Sequence, residues 1–126
     1  MLTEKDYCDY ETCVALKELG YDELCEGYYH LTDDEDYNLH YFEWCCGHEF
    51  QNSLNRWRVG APMLYEAQKW LREEKGVVVL VHHLMTQEGD WEWEISYKYS
   101  SRDMYHSYEE ALSEGIKEAV KILKEK

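Results

Sequence analysis

The chain has 126 residues and a formal charge of −14 at pH 7, from 27 acidic and 13 basic residues. This length favours one domain whose core needs neither disulfide nor metal, and a hydrophobic content of 44% argues against global disorder. Nucleic acid phosphates repel so acidic a chain, so we expect no direct nucleic acid binding.

The negative charge is concentrated at one end of the chain. Residues 1–50 contain 14 acidic residues against Lys5 and Lys17, a balance of −12, whereas residues 51–126 contain 13 acidic and 11 basic residues, a balance of −2. Seven of the twelve tyrosines also lie in the first 50 residues. An acidic region rich in tyrosine is typical of a surface that meets a basic protein partner.

The first half of the chain predicts one helix and two strands. Hydrophobic residues recur at helical spacing over residues 11–19, and Gly20 follows as a C-terminal cap. Strands are predicted over residues 27–31 and 38–44, with the acidic loop 32–36 between them. The residues between the second strand and the next helix show no clear periodicity.

The second half predicts two helices that flank two strands. Pro62 suits the first turn of a helix that Gly76 ends. A strand over residues 77–84 follows, and then a strand over 91–99 in which aromatic and polar residues alternate strictly, as in a strand with one solvated face. The last helix begins at Ser107, which forms a capping box with a glutamate three residues later. Its predicted core residues form a helical stripe, namely Ala111, Leu112, Ile116, Ala119, Val120 and Leu123.

These elements predict an α+β fold in the order α-β-β-α-β-β-α. We expect a single domain over residues 1–126. Its simplest packing is a small antiparallel sheet of about four strands with the helices on one face.

Three stretches, mostly helix starts and core positions, share a pattern with other short proteins. The first stretch is residues 15–22 (ALKELGYD). The second combines residues 61–62 (AP), Ala67 and residues 70–73 (WLRE). The third combines residues 108–112 (YEEAL) and residues 115–116 (GI). These stretches resemble a group of uncharacterised phage- and prophage-associated proteins of gut anaerobic bacteria. The resemblance implies an accessory protein of a mobile element, and it supplies no catalytic residue.

The sequence places the partner-binding surface in the acidic loop and its neighbouring tyrosines. The predicted residues are Asp33, Asp34, Glu35, Asp36, Tyr28 and Tyr37. An EF-hand calcium loop counted from Asp34 is excluded. Its sixth position, which requires glycine, is Leu39, and its twelfth position, which requires a bidentate glutamate, is Cys45. A sharper form of the hypothesis is DNA mimicry, in which carboxylates spaced like phosphates occupy the basic groove of a nuclease.

Cys45, Cys46 and His48 form the alternative candidate site. Adjacent cysteines followed by a histidine offer soft metal ligands, or a nucleophile with a nearby base. The paired spacings typical of structural zinc sites do not occur, and neither do a P-loop, G-x-G-x-x-G or G-x-S-x-G motif. The alternative function is therefore a small metal- or thiol-dependent enzyme. Outside this group we predict no catalytic residue and no cofactor.

Two further clusters are interpreted as structural. His82 and His83 are neighbours in a predicted strand, so they face opposite sides and do not chelate one ion together. The aromatic row that begins with Trp91 and Trp93 is a candidate platform for stacked bases. We interpret it as the core face of a sheet, because the chain lacks the cations that follow a nucleic acid backbone.

The cysteine pattern and the hydropathy predict a cytoplasmic protein. The five cysteines are odd in number and do not form a disulfide framework. The first ten residues lack the basic and apolar regions of a signal peptide, and the longest apolar run, residues 77–81, is too short to span a bilayer. We therefore expect no membrane partner. Homodimerisation through an edge strand stays open.

Overall fold

Helices and antiparallel strands alternate along the chain, and this confirms the α+β class. The computed structural model describes residues 4–25, 27–31, 37–41, 50–51, 58–84, 90–96, 99–101 and 103–125. Within those ranges it contains three α-helices and eight strands. The four predicted strands correspond to its four strands of five residues, and the other four strands are shorter. None of the described helices is long and apolar enough to cross a membrane.

The chain divides into two units, residues 1–63 (the first unit) and residues 64–126 (the second unit). The sequence-based expectation of one domain stays a prediction. The elements of the first unit are α1 (Tyr10–Glu18), β1 (Leu24–Cys25), β2 (Gly27–Leu31), β3 (Tyr37–Tyr41), β4 (Phe50–Gln51) and β5 (Arg58–Ala61). Those of the second unit are α2 (Leu64–Lys75), β6 (Val79–His83), β7 (Trp91–Ile95), β8 (Tyr99–Ser100) and α3 (Tyr108–Lys124).

Helix α1 is bounded by local signals at both ends. The Asp9 side chain accepts a hydrogen bond from the Thr12 backbone N–H at 2.9 Å and caps the N-terminus. At the C-terminus, Gly20 has a φ of 107°, which glycine adopts at little cost, and the Tyr21 N–H donates to the Leu16 carbonyl at 2.9 Å. Helix α1 therefore ends where the sequence predicts.

The first unit is organised around β2, which pairs antiparallel with β3 on one side and β5 on the other. Strand β5, which the sequence pattern did not predict, packs against α1. The Tyr29 hydroxyl of β2 is buried and donates to the Cys8 carbonyl at 2.7 Å. This bond ties the central strand to the chain just before α1. Strands β1 and β4 form a separate antiparallel pair.

In the second unit, β7 lies between β6 and β8 in an antiparallel sheet. Helix α2 begins at Leu64, two residues after Pro62, so the proline precedes the helix instead of lying in its first turn. Helix α3 begins at the predicted cap, because the Ser107 hydroxyl accepts from the Glu110 N–H at 3.1 Å. Helix α3 packs on β6 and β7, and α2 packs on α3 and β6.

Gly115 sets the distance between α3 and the sheet. A Cβ atom at this position would lie 2.9 Å from Val79 Cγ1, closer than Cβ atoms approach in proteins, and 3.0 Å from Trp93 Cβ, a tight contact. The buried apolar layer of the second unit lies here. It consists of Leu64, Ala67, Trp70, Leu71, Val79, Trp93, Ile95, Ala111, Leu112, Ile116, Ala119 and Val120. The core residues predicted for α3 from its helical stripe are thereby confirmed, except Leu123, which is half-buried.

The strand predicted over residues 91–99 is wrong at its C-terminal end. Strand β7 stops at Ile95, and β8 returns beside it, so that Ile95 pairs with Tyr99 and Glu94 with Ser100. Ser96 has a φ of 49°, which breaks the extended backbone. Alternation alone did not reveal this hairpin, because Tyr99 continues the apolar-polar pattern after the turn.

Candidate functional site

The acidic residues of the first unit that the structure describes lie mostly at the surface. Glu11 and Glu18 are exposed on α1, and Asp22 and Glu23 are exposed in the segment that follows it. Asp9 is used differently, because its carboxylate caps α1. Residues 1–63 carry 14 acidic and four basic residues, a balance of −10, against −4 for residues 64–126 from 13 acidic and nine basic residues.

The acidic loop Asp33, Asp34, Glu35 and Asp36 lies outside the described residues, but the strands that flank it are described. Leu31, the last residue of β2, pairs directly with Tyr37, the first residue of β3. The loop therefore connects two adjacent antiparallel strands, as the sequence predicts.

The two predicted tyrosines lie in that hairpin. Tyr28 is half-buried in β2, where it pairs with His40. Tyr37 begins β3. The next residue of β2, Tyr29, is buried and belongs to the core, so Tyr28 lies on the opposite face of the strand.

The residues of the enzyme alternative, Cys45, Cys46 and His48, lie outside the described residues. Two other cysteines, Cys8 and Cys13, are buried in the first unit and form no disulfide, and the Cys13 thiol donates to the Cys8 carbonyl at 3.6 Å. Buried cysteines of this kind behave as small apolar side chains. Over the described part of the chain, no group of three or more His, Cys, Asp or Glu residues is arranged to hold a metal ion.

One face of the second unit's sheet is polar. On this face His82 of β6 pairs with Glu92 of β7, and its Nε2 lies 3.3 Å from Glu94 Oε2. His82 is exposed, and both glutamates are half-buried. The prediction that His82 and His83 face opposite sides is confirmed by this register, since His83 pairs instead with Trp91.

The other face carries an aromatic row that the sequence pattern did not bring together. His83 and Trp91 are cross-strand neighbours, with ring centroids 4.6 Å apart. Tyr105 lies on the other side of Trp91 and exchanges two backbone hydrogen bonds with it, of 2.9 and 2.8 Å. Tyr108, the first residue of α3, meets Trp91 edge to face at 5.5 Å. We call His83, Trp91, Tyr105 and Tyr108 the aromatic row.

The sequence held only part of the signal for the aromatic row. Alternation placed Trp91 on the apolar face, and His83 follows from the strand register. Tyr105 gave no such signal, because it forms an isolated bridge and not part of a predicted strand. Its pairing depends on the chain path after β8, which no local pattern determines.

The comparisons with known proteins give no relative for this chain. No protein-family model, curated protein or solved structure matches it. The resemblance to phage-associated proteins stays a prediction.

Proposed function

We propose that this protein is a non-enzymatic interaction module of a phage or mobile element, which binds a basic protein partner through the acidic, tyrosine-rich part of its first unit. The observation that carries the proposal is the concentration of charge, −12 over the first 50 residues. Like charges gathered in one region attract a basic surface over distances of about 10 Å at 0.1 M salt.

The exposure of the described carboxylates supports this role. Glu11, Glu18, Asp22 and Glu23 face solvent, where they contribute to the field outside the molecule. The acidic loop 32–36 adds four carboxylates between β2 and β3. The aromatic rings of Tyr28 and Tyr37 would supply apolar contact area beside these charges, a combination that is common in protein interfaces.

The test uses two variants with the same change in net charge. In the loop variant, Asp33, Asp34 and Asp36 are changed to Asn and Glu35 to Gln. In the helix variant, four acidic residues of the second unit are changed to Gln, namely Glu73, Glu74, Glu118 and Glu125. Wild type and both variants are immobilised, and the proteins that they retain from a bacterial lysate at moderate salt are identified by mass spectrometry.

We expect wild type and the helix variant to retain the same basic proteins and the loop variant to lose them. A purified partner should then bind wild type less tightly as salt rises, and the loop variant should show a weaker salt dependence. If all three proteins retain the same set, the acidic loop does not bind a partner. The proposed binding site would then be wrong.

DNA mimicry is the more specific form of the proposal. It requires the retained partner to be a nuclease or another DNA-binding protein. Duplex DNA should then compete with this chain for the partner, since both occupy the same basic groove. Binding that persists unchanged in the presence of excess DNA would exclude mimicry and leave the interaction itself intact.

A further inference from the structure

We propose that the aromatic row of the second unit is a second docking site, which binds an arginine-bearing segment of a partner protein. The inference does not depend on the proposed function, because it concerns other residues in the other unit. It follows from the register of the sheet, the incomplete cover over Trp91 and the charge of the neighbouring residues.

The register brings the rings onto one face. Trp91 pairs with His83 on one side and with Tyr105 on the other, and directly paired residues of antiparallel strands point to the same face of a sheet. The side chains of His83, Trp91 and Tyr105 therefore lie on one face of the sheet, with Trp91 between the other two. The ring of Tyr108 closes one side of Trp91, at an interplanar angle of 89°.

Among the described residues, the cover over this face becomes incomplete at Trp91. Further along β7, Trp93 and Ile95 are buried beneath α3. Helix α3 has its first residue at Tyr108, so it covers Trp91 only in part, and Trp91 and Tyr105 are half-buried. Tyr108 is 39% exposed and Met104 is 57% exposed, and they account for two of the four large hydrophobic residues that are exposed in the described part of the chain.

The charged residues that the structure describes in the chain around Tyr105 and Tyr108 are negative, and Arg102 lies outside the described residues. Every charged residue described between 103 and 116 is acidic, namely Asp103, Glu109, Glu110 and Glu114, and the first lysine of α3 is Lys117. The α3 dipole places the equivalent of about half a positive charge at Tyr108. Glu109 and Glu110 lie in that same first turn and outweigh it.

An arginine side chain fits this combination of groups. Its guanidinium is flat, stacks on aromatic rings and forms paired hydrogen bonds with a carboxylate. Cations already contact indole rings in this unit, since Lys75 Nζ lies 5.5 Å from the centre of the Trp70 ring. Lysine is less suited, because its compact ammonium is strongly hydrated and does not stack. A neutral side chain would lack the charge attraction to Asp103 and Glu109, and its hydrogen bonds to their carboxylates would be weaker.

The experiment titrates the isotope-labelled full-length protein with three capped tetrapeptides and follows its amide and indole signals by nuclear magnetic resonance. The peptides have the sequence Gly-X-X-Gly, where X is arginine, lysine or the neutral arginine analogue citrulline. We expect the arginine peptide to shift the signals of Trp91, Tyr105 and Tyr108 in a saturable manner. The lysine peptide should bind about threefold more weakly, and the citrulline peptide should cause no such shift.

Two variants at exposed positions test the site without disturbing the core. Tyr108→Ala should weaken binding of the arginine peptide about threefold to tenfold, whereas Tyr65→Ala, a change at a 60% exposed tyrosine of α2, should leave it unchanged. A variant with Asp103 changed to Asn and Glu109 to Gln should also bind the arginine peptide more weakly than wild type. A variant with Glu73 and Glu74 changed to Gln should bind it as wild type does.

The proposal is overturned if the three peptides shift the same signals equally, because stacking and charge then play no part. It is also overturned if both pairs of acidic substitutions weaken binding equally. Shifts confined to the first unit would likewise overturn it, and they would instead support the acidic surface of the proposed function.

Discussion

At the scale of single residues, Ser96 decides where the central strand of the second unit ends. It lies in the left-handed backbone region, with a φ of 49°. Its Oγ accepts from the Val78 N–H at 3.2 Å, and its own N–H donates to the Val78 carbonyl at 2.8 Å. These two bonds hold the start of the hairpin against the residue that precedes β6, and they offset the cost of the unusual backbone conformation.

We expect Ser96→Gly to be more stable than Ser96→Ala by about 1 kcal/mol, since alanine pays the steric cost of the left-handed region and glycine does not. Both substitutions remove the same hydroxyl group, so their difference isolates the backbone conformation. Urea unfolding followed by tryptophan fluorescence measures both free energies. Equal stabilities of the two variants would contradict the left-handed conformation of residue 96.

At the scale of elements, the packing of α3 on the sheet depends on Gly115, which has no side chain. Gly115 is the point of closest approach between α3 and the sheet residues Val79 and Trp93. The indole Nε1 of Trp93 is buried and has no hydrogen-bond partner, the one such buried side-chain atom in the described part of the chain. The ring of Trp93 is therefore held by apolar contact with its surroundings, and the layer tolerates little added volume.

Gly115→Ala should destabilise the protein by about 1–2 kcal/mol, because the cost of overpacking exceeds the gain in helix propensity of about 1 kcal/mol. The matched control is Ser113→Ala, at a half-buried position of the same helix. It should change the free energy of unfolding by no more than about 0.5 kcal/mol. A Gly115→Ala protein as stable as wild type would show that α3 does not approach the sheet so closely.

The elements also show which parts of the fold were predictable. All three helices were predicted because their signals are local: the Ser107 cap, the glycines at positions 20 and 76, and a hydrophobic stripe. The four short strands β1, β4, β5 and β8 were not predicted as separate strands. Strand β5 pairs with β2, about thirty residues earlier in the chain, and no local pattern encodes such a pairing.

At the scale of the whole molecule, the net charge of −14 opposes compaction. We expect the free energy of unfolding to rise as NaCl is increased from 10 mM to 0.1 M, since the screening length falls from about 30 to about 10 Å. Most of the effect should come from the first unit, with its balance of −10.

The loop and helix variants of the proposed function test this attribution. Neutralising Asp33, Asp34, Glu35 and Asp36 should reduce the salt effect more than neutralising four acidic residues of the second unit, because the first unit has the larger excess of negative charge, −10 against −4. Thermal unfolding at both salt concentrations measures the difference. If the salt effect on stability fell equally in the two variants, the total charge of the protein would set this effect, and the position of the charges in the chain would not matter.

The sequence by itself determined the α+β class, the helix boundaries set by caps and glycines, the buried stripe of α3 and the concentration of charge in the first half. These features depend on residues a few positions apart, whose spacing is visible in the chain. Only the tertiary structure decided that β7 turns back at Ser96, that Gly115 meets Val79 and Trp93, and that His83, Trp91 and Tyr105 form one row. Contacts of that kind join segments far apart in the chain. They are selected by the packing of the whole unit, which no local pattern records.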